Sequence, residues 1–147
     1  MGDCQDKALD LVARRPHFRR ELEEKLSRRG FPGDEIEATL VELARLGLID
    51  DLAHARNLAA GPMTRKDFGP RRVRIELMRR GVDEGVADSV VAESFSDPGE
   101  EFRRAREATR KKGEARAMDS ARLARHLDRK GYSKSVILRI LEEFDPV

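Results

Sequence analysis

The sequence has no tryptophan, one tyrosine and one cysteine in 147 residues, and its formal net charge is only +2. Each shortage excludes something. A single thiol, Cys4, cannot close an internal disulfide and offers no cluster of metal ligands. Its place near a terminus expected to fray argues against a catalytic nucleophile. No apolar run approaches the roughly 18 residues that signal a membrane-spanning helix, and "MGDCQDKALD" lacks the basic-then-apolar layout of a secretory leader. A soluble, cytoplasmic protein with no membrane association is therefore expected. His17, His54 and His126 stand far apart with no i, i+4 partner, and no Gly-rich phosphate loop or Ser-His-Asp order stands out. These absences predict no catalytic residue, no metal and no cofactor, and they make an enzyme acting on nucleic acid the least favoured reading.

What is present is charge and repetition. Charged residues make up 39% of the chain and hydrophobic residues another 39%, too polar for one deep core yet too periodic for disorder. The phrase "RRELEEKLSRRGF" at 19–31 returns as "RRVRIELMRRGV" at 71–82 and "ARLARHLDRKGY" at 121–132. Gly30, Gly81 and Gly131 thus recur about every 50 residues, a period that accommodates about three short helices. Each glycine follows a basic pair and a leucine four residues back (Leu26, Leu77, Leu127), and precedes one apolar residue (Phe31, Val82, Tyr132). A second apolar series then follows: Ile36, Leu40 and Leu43; Val86 and Val90; Val136, Ile140 and Phe144.

The pattern predicts an all-α fold, an elongated curved array of three tandem three-helix repeats with helix-turn-helix-like units, spanning 1–49, 50–96 and 97–147. Repeat units touch only their neighbours, so a monomer is expected. Phe18, Leu22 and Leu26 give the first phrase one buried stripe, and each glycine turns the chain with a positive φ. Asp50 or Asp51, Asp97, Asp119 and Ser133 are the expected N-caps. "GPMTRKDFGP" at 61–70, with two Gly-Pro pairs, reads as a loop and a flexible hinge.

Charge is sorted by segment. Residues 69–82 hold five arginines, Arg71, Arg72, Arg74, Arg79 and Arg80, against Glu76, while 83–101 hold seven acids and no base. Residues 103–116 reverse the sign again, with Arg103, Arg104, Lys111 and Lys112 among seven bases. Helix-turn-helix DNA readers concentrate basic residues on the second helix of the pair. Here two of those helices, "DEIEATLVELA" and "DEGVADSVVAESF", are acidic, so plain helix packing is the better account of the glycine turns. The acids read equally as partners of their own neighbouring bases or as contacts to a basic partner.

The phrases "ALDLVARRPHFRRELEEKLSRRGF", "EIEATLVELARLGLIDD" and "GPRRVRIELMRRGV" resemble the RecX regulatory protein family, bacterial modulators of the RecA recombinase, over roughly residues 8–144. The resemblance implies three repeats of three helices and an activity: binding along RecA nucleoprotein filaments to limit strand exchange, ATP hydrolysis and co-protease function. Gly69, Pro70, Arg71, Arg72, Arg74, Glu76, Leu77 and Gly81 match the family's middle motif, and Leu48, Ile49, Asp50 and Asp51 its first junction. Two positions depart from the pattern. His17 stands where a capping Ser or Thr is usual, and His54 where a phenylalanine is usual, which puts the packing of the helix after Asp51 in doubt.

On this reading Arg71, Arg72, Arg74, Arg79 and Arg80 form a partner face, with the arginines projecting outward while Val73, Ile75 and Leu77 carry the apolar side. Arg103, Arg104, Lys111 and Lys112 form a second basic surface, a binding face or a solvated one. Arginine forks suit both the carboxylates and the phosphates of a filament. The alternative is a helical module that binds single- or double-stranded DNA through phosphate contacts alone.

Overall fold

A computed structural model of the chain describes residues 2–113 and 119–144. Those residues form ten helices and no strand: α1 (Asp3–Arg14), α2 (Arg19–Arg28), α3 (Gly33–Arg45), α4 (Asp51–Ala60), α5 (Pro62–Arg65), α6 (Pro70–Arg79), α7 (Glu84–Ser94), α8 (Glu100–Gly113), α9 (Ser120–Lys130) and α10 (Lys134–Phe144). Tandem three-helix repeats account for all of them except the single turn of α5. The chain divides into two compact units, residues 1–57 with 77–87 and residues 58–76 with 88–147.

The repeated phrase is a helix stop. After α2, Phe31 N–H donates to Leu26 O and Gly30 N–H to Ser27 O. After α6, Val82 donates to Leu77 and Gly81 to Met78; after α9, Tyr132 donates to Leu127 and Gly131 to Asp128. This is the Schellman arrangement, which satisfies the last carbonyls through a residue in the left-handed region. Gly30, Gly81 and Gly131 have φ of 90°, 87° and 95°. The leucine four residues back and the apolar residue after the glycine are the motif's hydrophobic pair, and the basic residues before it complement the helix dipole.

In the first unit, Cys4, Ala8 and Leu11 of α1 pack with Leu22, Leu26, Ile36, Leu40 and Leu43. Cys4 is fully buried and its sulfur accepts from Thr39 Oγ1 at 3.4 Å, so the expected fraying does not reach it. The two aspartates of the junction divide their work. Asp50 Oδ1 accepts from Ala53 N–H at 3.1 Å and caps α4, while Asp51 Oδ1 accepts from Arg19 N–H at 2.9 Å and caps α2. Asp51 therefore supplies the cap that His17 does not. His54 packs its ring on Phe18, centroids 4.2 Å apart, so α4 keeps an aromatic contact and forms over Asp51–Ala60 in spite of the substitution.

The second unit is built on α8, α9 and α10, whose core includes Phe102, Leu123, Leu127, Tyr132 and Ile140. Asp119 caps α9 through Arg122 N–H at 2.8 Å, and Ser133 Oγ accepts from Val136 N–H at 3.4 Å. Asp97 holds Gly99 N–H at 3.0 Å, and α8 begins just beyond it. Among the expected apolar series, Val90, Val136 and Ile140 are buried and Val86 half-buried; the Phe144 side chain and residues 145–147 lie outside what the structure describes.

The segment 61–70 departs from the expected open loop. It contains the single turn α5, and Met63, Phe68 and Gly69 are buried. Asp67, with φ of 61°, ends α5 as the glycines end the longer helices, and Phe68 N–H donates to Met63 O. Gly69 lies so close to the α9 turn that a Cβ there would stand 2.7 Å from the Tyr132 ring and 2.8 Å from Gly131 O. A Gly-Pro pair reads as a breaker, and at Gly69-Pro70 it also marks close approach of backbones.

Candidate partner-binding surface

The arginines of α6 are committed before any partner arrives. Gly69 N–H donates to Lys130 O and Arg71 N–H to Gly131 O, so the start of α6 satisfies the carbonyl end of α9. Arg71 Nη2 adds bonds to Asp128 O and Oδ1 at 2.6 and 2.9 Å. Arg72 bonds Glu76 at 2.9 Å and Arg129 O at 3.0 Å, with its guanidinium 4.5 Å from the centre of the Phe68 ring. Arg74 pairs with Asp88 at 2.6 Å. The expected joint outward projection is thus corrected: these side chains turn onto neighbouring groups of their own unit. Ile75 is also displaced from its expected apolar side, being 39% exposed. Two residues from both Val73 and Leu77, it lies about 200° round the helix from each.

Arg79 and Arg80 belong to the other unit, where they and Arg20 edge a small hollow with Glu21 and Glu24. Arg103 pairs with Asp97 and Glu100, both at 3.0 Å. Arg104 is folded over Phe95 and donates to Ser94 O and Thr64 Oγ1. Many acids of 34–42 and 83–101 are spent on such local pairs, Glu37 with Arg19 and Glu42 with Arg45 included. The end of the second basic run, Glu114 and Arg116, lies outside the described residues.

One group of bases does converge, in the second unit around Asp67. Lys111 Nζ is 3.0 Å from both Asp67 carboxylate oxygens, Lys130 Nζ donates to Lys66 O at 2.8 Å, and Tyr132 OH donates to Asp67 O at 2.7 Å. The ammonium groups of Lys66 and Lys130 lie 5.8 and 5.6 Å from the Phe68 ring centre, on the ring that Arg72 also covers. Burial, with the charges of Arg72, Lys111 and Lys112, pulls Lys130 below the usual lysine range, against the opposing pull of Asp67. Burial, with Lys112, Lys130 and Arg129, pulls His126 down likewise. Burial leads both shifts, and the neighbouring bases add to it, so Arg72, Lys111, Lys112 and Lys130 lie within electrostatic reach of one another around Asp67. Lys112 is exposed and makes no ion pair among the described residues.

Of the nine nominated bases, Arg72, Lys111 and Lys112 meet here. Lys66, His126, Lys130 and the organising Asp67 were missed, because residues some sixty positions apart carry no local signal of their meeting. The recurring glycine could have hinted at it, since it fixes where one helix end meets the next. Among the described residues no group of three His, Cys, Asp or Glu could hold a metal ion, and no helix is long and apolar enough to cross a membrane.

The family profile described as the first three-helix domain of RecX matches residues 4–43, and that of the second three-helix domain matches residues 50–91. The chain belongs to the RecX family. It is 36% identical over 142 residues to the regulatory protein RecX of Ectopseudomonas mendocina, covering 94% of this chain and 92% of that one. It is also 36% identical over 138 residues to the regulatory protein RecX of Thermotoga petrophila, covering 94% and 82%. The crystal structure of RecX from Lactobacillus salivarius superimposes with a TM-score of 0.84 at 22% identity, over 98% of this chain and 96% of that one, a likeness of fold. RecX membership carries a regulatory role, and the relatives are named regulators.

Proposed function

We propose that this chain binds RecA filaments on DNA and limits their ATP hydrolysis, strand exchange and co-protease function, acting as a cytoplasmic monomer and catalysing nothing itself. Its three repeats, 1–49, 50–96 and 97–147, would supply the contact surface. The observation that carries the reading, beyond family membership, is the cationic group around Asp67 and Phe68. A protein filament on DNA presents phosphates and carboxylates, and a field of several bases attracts both. Lys66 and Lys112 are exposed and make the first contacts; Arg72, Lys111 and Lys130 hold the field in place. Arg79 and Arg80 supply a contact from the other unit.

The same cluster favours a second reading, a module that binds DNA phosphates with partner proteins incidental. A Lys66→Glu/Lys112→Glu variant separates the two. If bare DNA is the target, DNA affinity, its salt slope and filament inhibition fall together. If the filament is the target, inhibition is lost even at salt where neither form binds bare DNA. Full inhibition by this variant would remove the cluster from the site.

A further inference from the structure

The outer surface of α9 and α10 differs from its counterparts in the other repeats. Aligned on the turn glycines, Ala124 and Leu138 stand where the middle repeat has Arg74 and Asp88 and the first has Glu23 and Glu37. In the middle repeat those two positions are joined by the 2.6 Å ion pair, and in the first repeat Glu37 bonds Arg19 at 2.7 Å. Both helix pairs thus carry charged side chains at these positions. In the third repeat the two positions are apolar, and the helices leave a groove of about 550 Å³ floored by Ala124, Ile137, Leu138 and Leu141. Leu138 is 61% exposed, the largest exposure of any large hydrophobic side chain among the described residues.

The rim carries the opposite chemistry. Arg125, Arg129 and Lys134 border the groove, and none of their side chains has an ion pair or hydrogen bond among the described residues. The one acid among the described lining residues, Asp128, is already held by Arg71 at 2.9 Å. An open apolar floor within a positive rim matches a ligand that is apolar along one face and acidic beside it. α9 and α10 have 11 residues each, about 16 Å of helix, the length of some three turns of a docked helix.

We propose that this groove docks an acidic amphipathic helix of a partner protein, its leucine-type side chains on the Leu138 floor and its carboxylates on Arg125, Arg129 and Lys134. Nucleic acid is a poorer fit: phosphates gain nothing from an exposed leucine, and the described residues lining the groove include no aromatic ring on which a base could stack. The inference holds whichever protein supplies the helix, so it stands independently of the RecA reading.

The test uses the full chain and a fluorescein-labelled peptide of about 16 residues, with leucines at i, i+3, i+4 and i+7 and glutamates between, read by fluorescence anisotropy. Leu138→Glu places there the kind of side chain that the other two repeats carry, so it leaves the fold intact by circular dichroism. An Arg125→Glu/Arg129→Glu variant probes the rim separately. Saturable binding to the natural chain is expected, weakened at least tenfold by either variant and by lysine in place of glutamate in the peptide. Absence of saturable binding, equal affinity for the Leu138→Glu chain, or tighter binding of the lysine peptide would overturn the proposal. So would single-stranded DNA binding that Leu138→Glu abolishes, or self-association in sedimentation that it abolishes, which would give the groove to nucleic acid or to a second copy.

Discussion

Replacing the three turn glycines by alanine should produce a graded series, because the same backbone conformation meets different surroundings. All three have φ near 90°, a region that L-residues rarely adopt, so each substitution carries a conformational cost of about 1–2 kcal/mol. At Gly30 that is the whole cost, since nothing lies within 4 Å of the added methyl. At Gly81 the methyl would stand 2.7 Å from Arg20 Cβ, so the rest of the Arg20 side chain must turn and its stretch of α2 must shift slightly. At Gly131 it would lie 2.5 Å from Arg72 Cβ and 2.9 Å from Arg72 Cα, and closer still to the Arg72 nitrogen. Backbone cannot swing away so cheaply. The α6 start must retreat, loosening the hydrogen bonds from Gly69 to Lys130 and from Arg71 to Gly131, each worth about 1 kcal/mol. Gly30→Ala should therefore cost about 1 kcal/mol, Gly81→Ala about 2, and Gly131→Ala 3–4. At some 3 °C per kcal/mol for a chain of this size, melting points should fall by about 3, 6 and 10 °C. Thermal and urea unfolding followed by circular dichroism measure the series. Equal losses at Gly30 and Gly131 would refute the joint between α6 and α9.

Leu77→Ala should cost about 2–4 kcal/mol in urea unfolding, since the side chain is fully buried and truncation leaves a cavity. Asp51→Ala should cost about 1 kcal/mol through loss of the α2 cap, and Asp51→Asn, which keeps an acceptor, distinctly less. Stability should fall as pH drops from 7 toward 5. Burial lowers the pKa of His17, His54 and His126 in the fold, so the unfolded chain binds more protons through that window, and urea midpoints against pH read the slope. His17 is held neutral by geometry as well: Nδ1–H donates to Arg15 O and Nε2 accepts from Lys25 Nζ, both at 2.9 Å, so His17→Asn should flatten the slope. Reversing Arg71 and Arg72 to glutamate should lower stability too, because both hold the end of α9.

The helices were legible because their signals are local. A glycine with a leucine four before it and an apolar residue after it specifies one hydrogen-bonded stop, whatever surrounds it. Caps at Asp119 and Ser133 are legible for the same reason. The second function of "DD" was not: Asp50 acts on its own helix, but Asp51 reaches Arg19, and only the packing of the first unit brings them together. The bases show the same divide. Their number along α6 and α8 is plain in the sequence, yet Arg74 is spent on Asp88 and Arg103 on Asp97, while Lys66 and Lys130 gain their importance from Phe68 beneath them. Charge runs tell where bases are and not which remain available.

The most direct test of the central claim is RecA ATPase on single-stranded DNA, with RecA of the same species and this protein added at substoichiometric and equimolar ratios. The account predicts a fall in hydrolysis that deepens with ratio and is lost with the Lys66→Glu/Lys112→Glu variant. Unchanged hydrolysis at every ratio would contradict it.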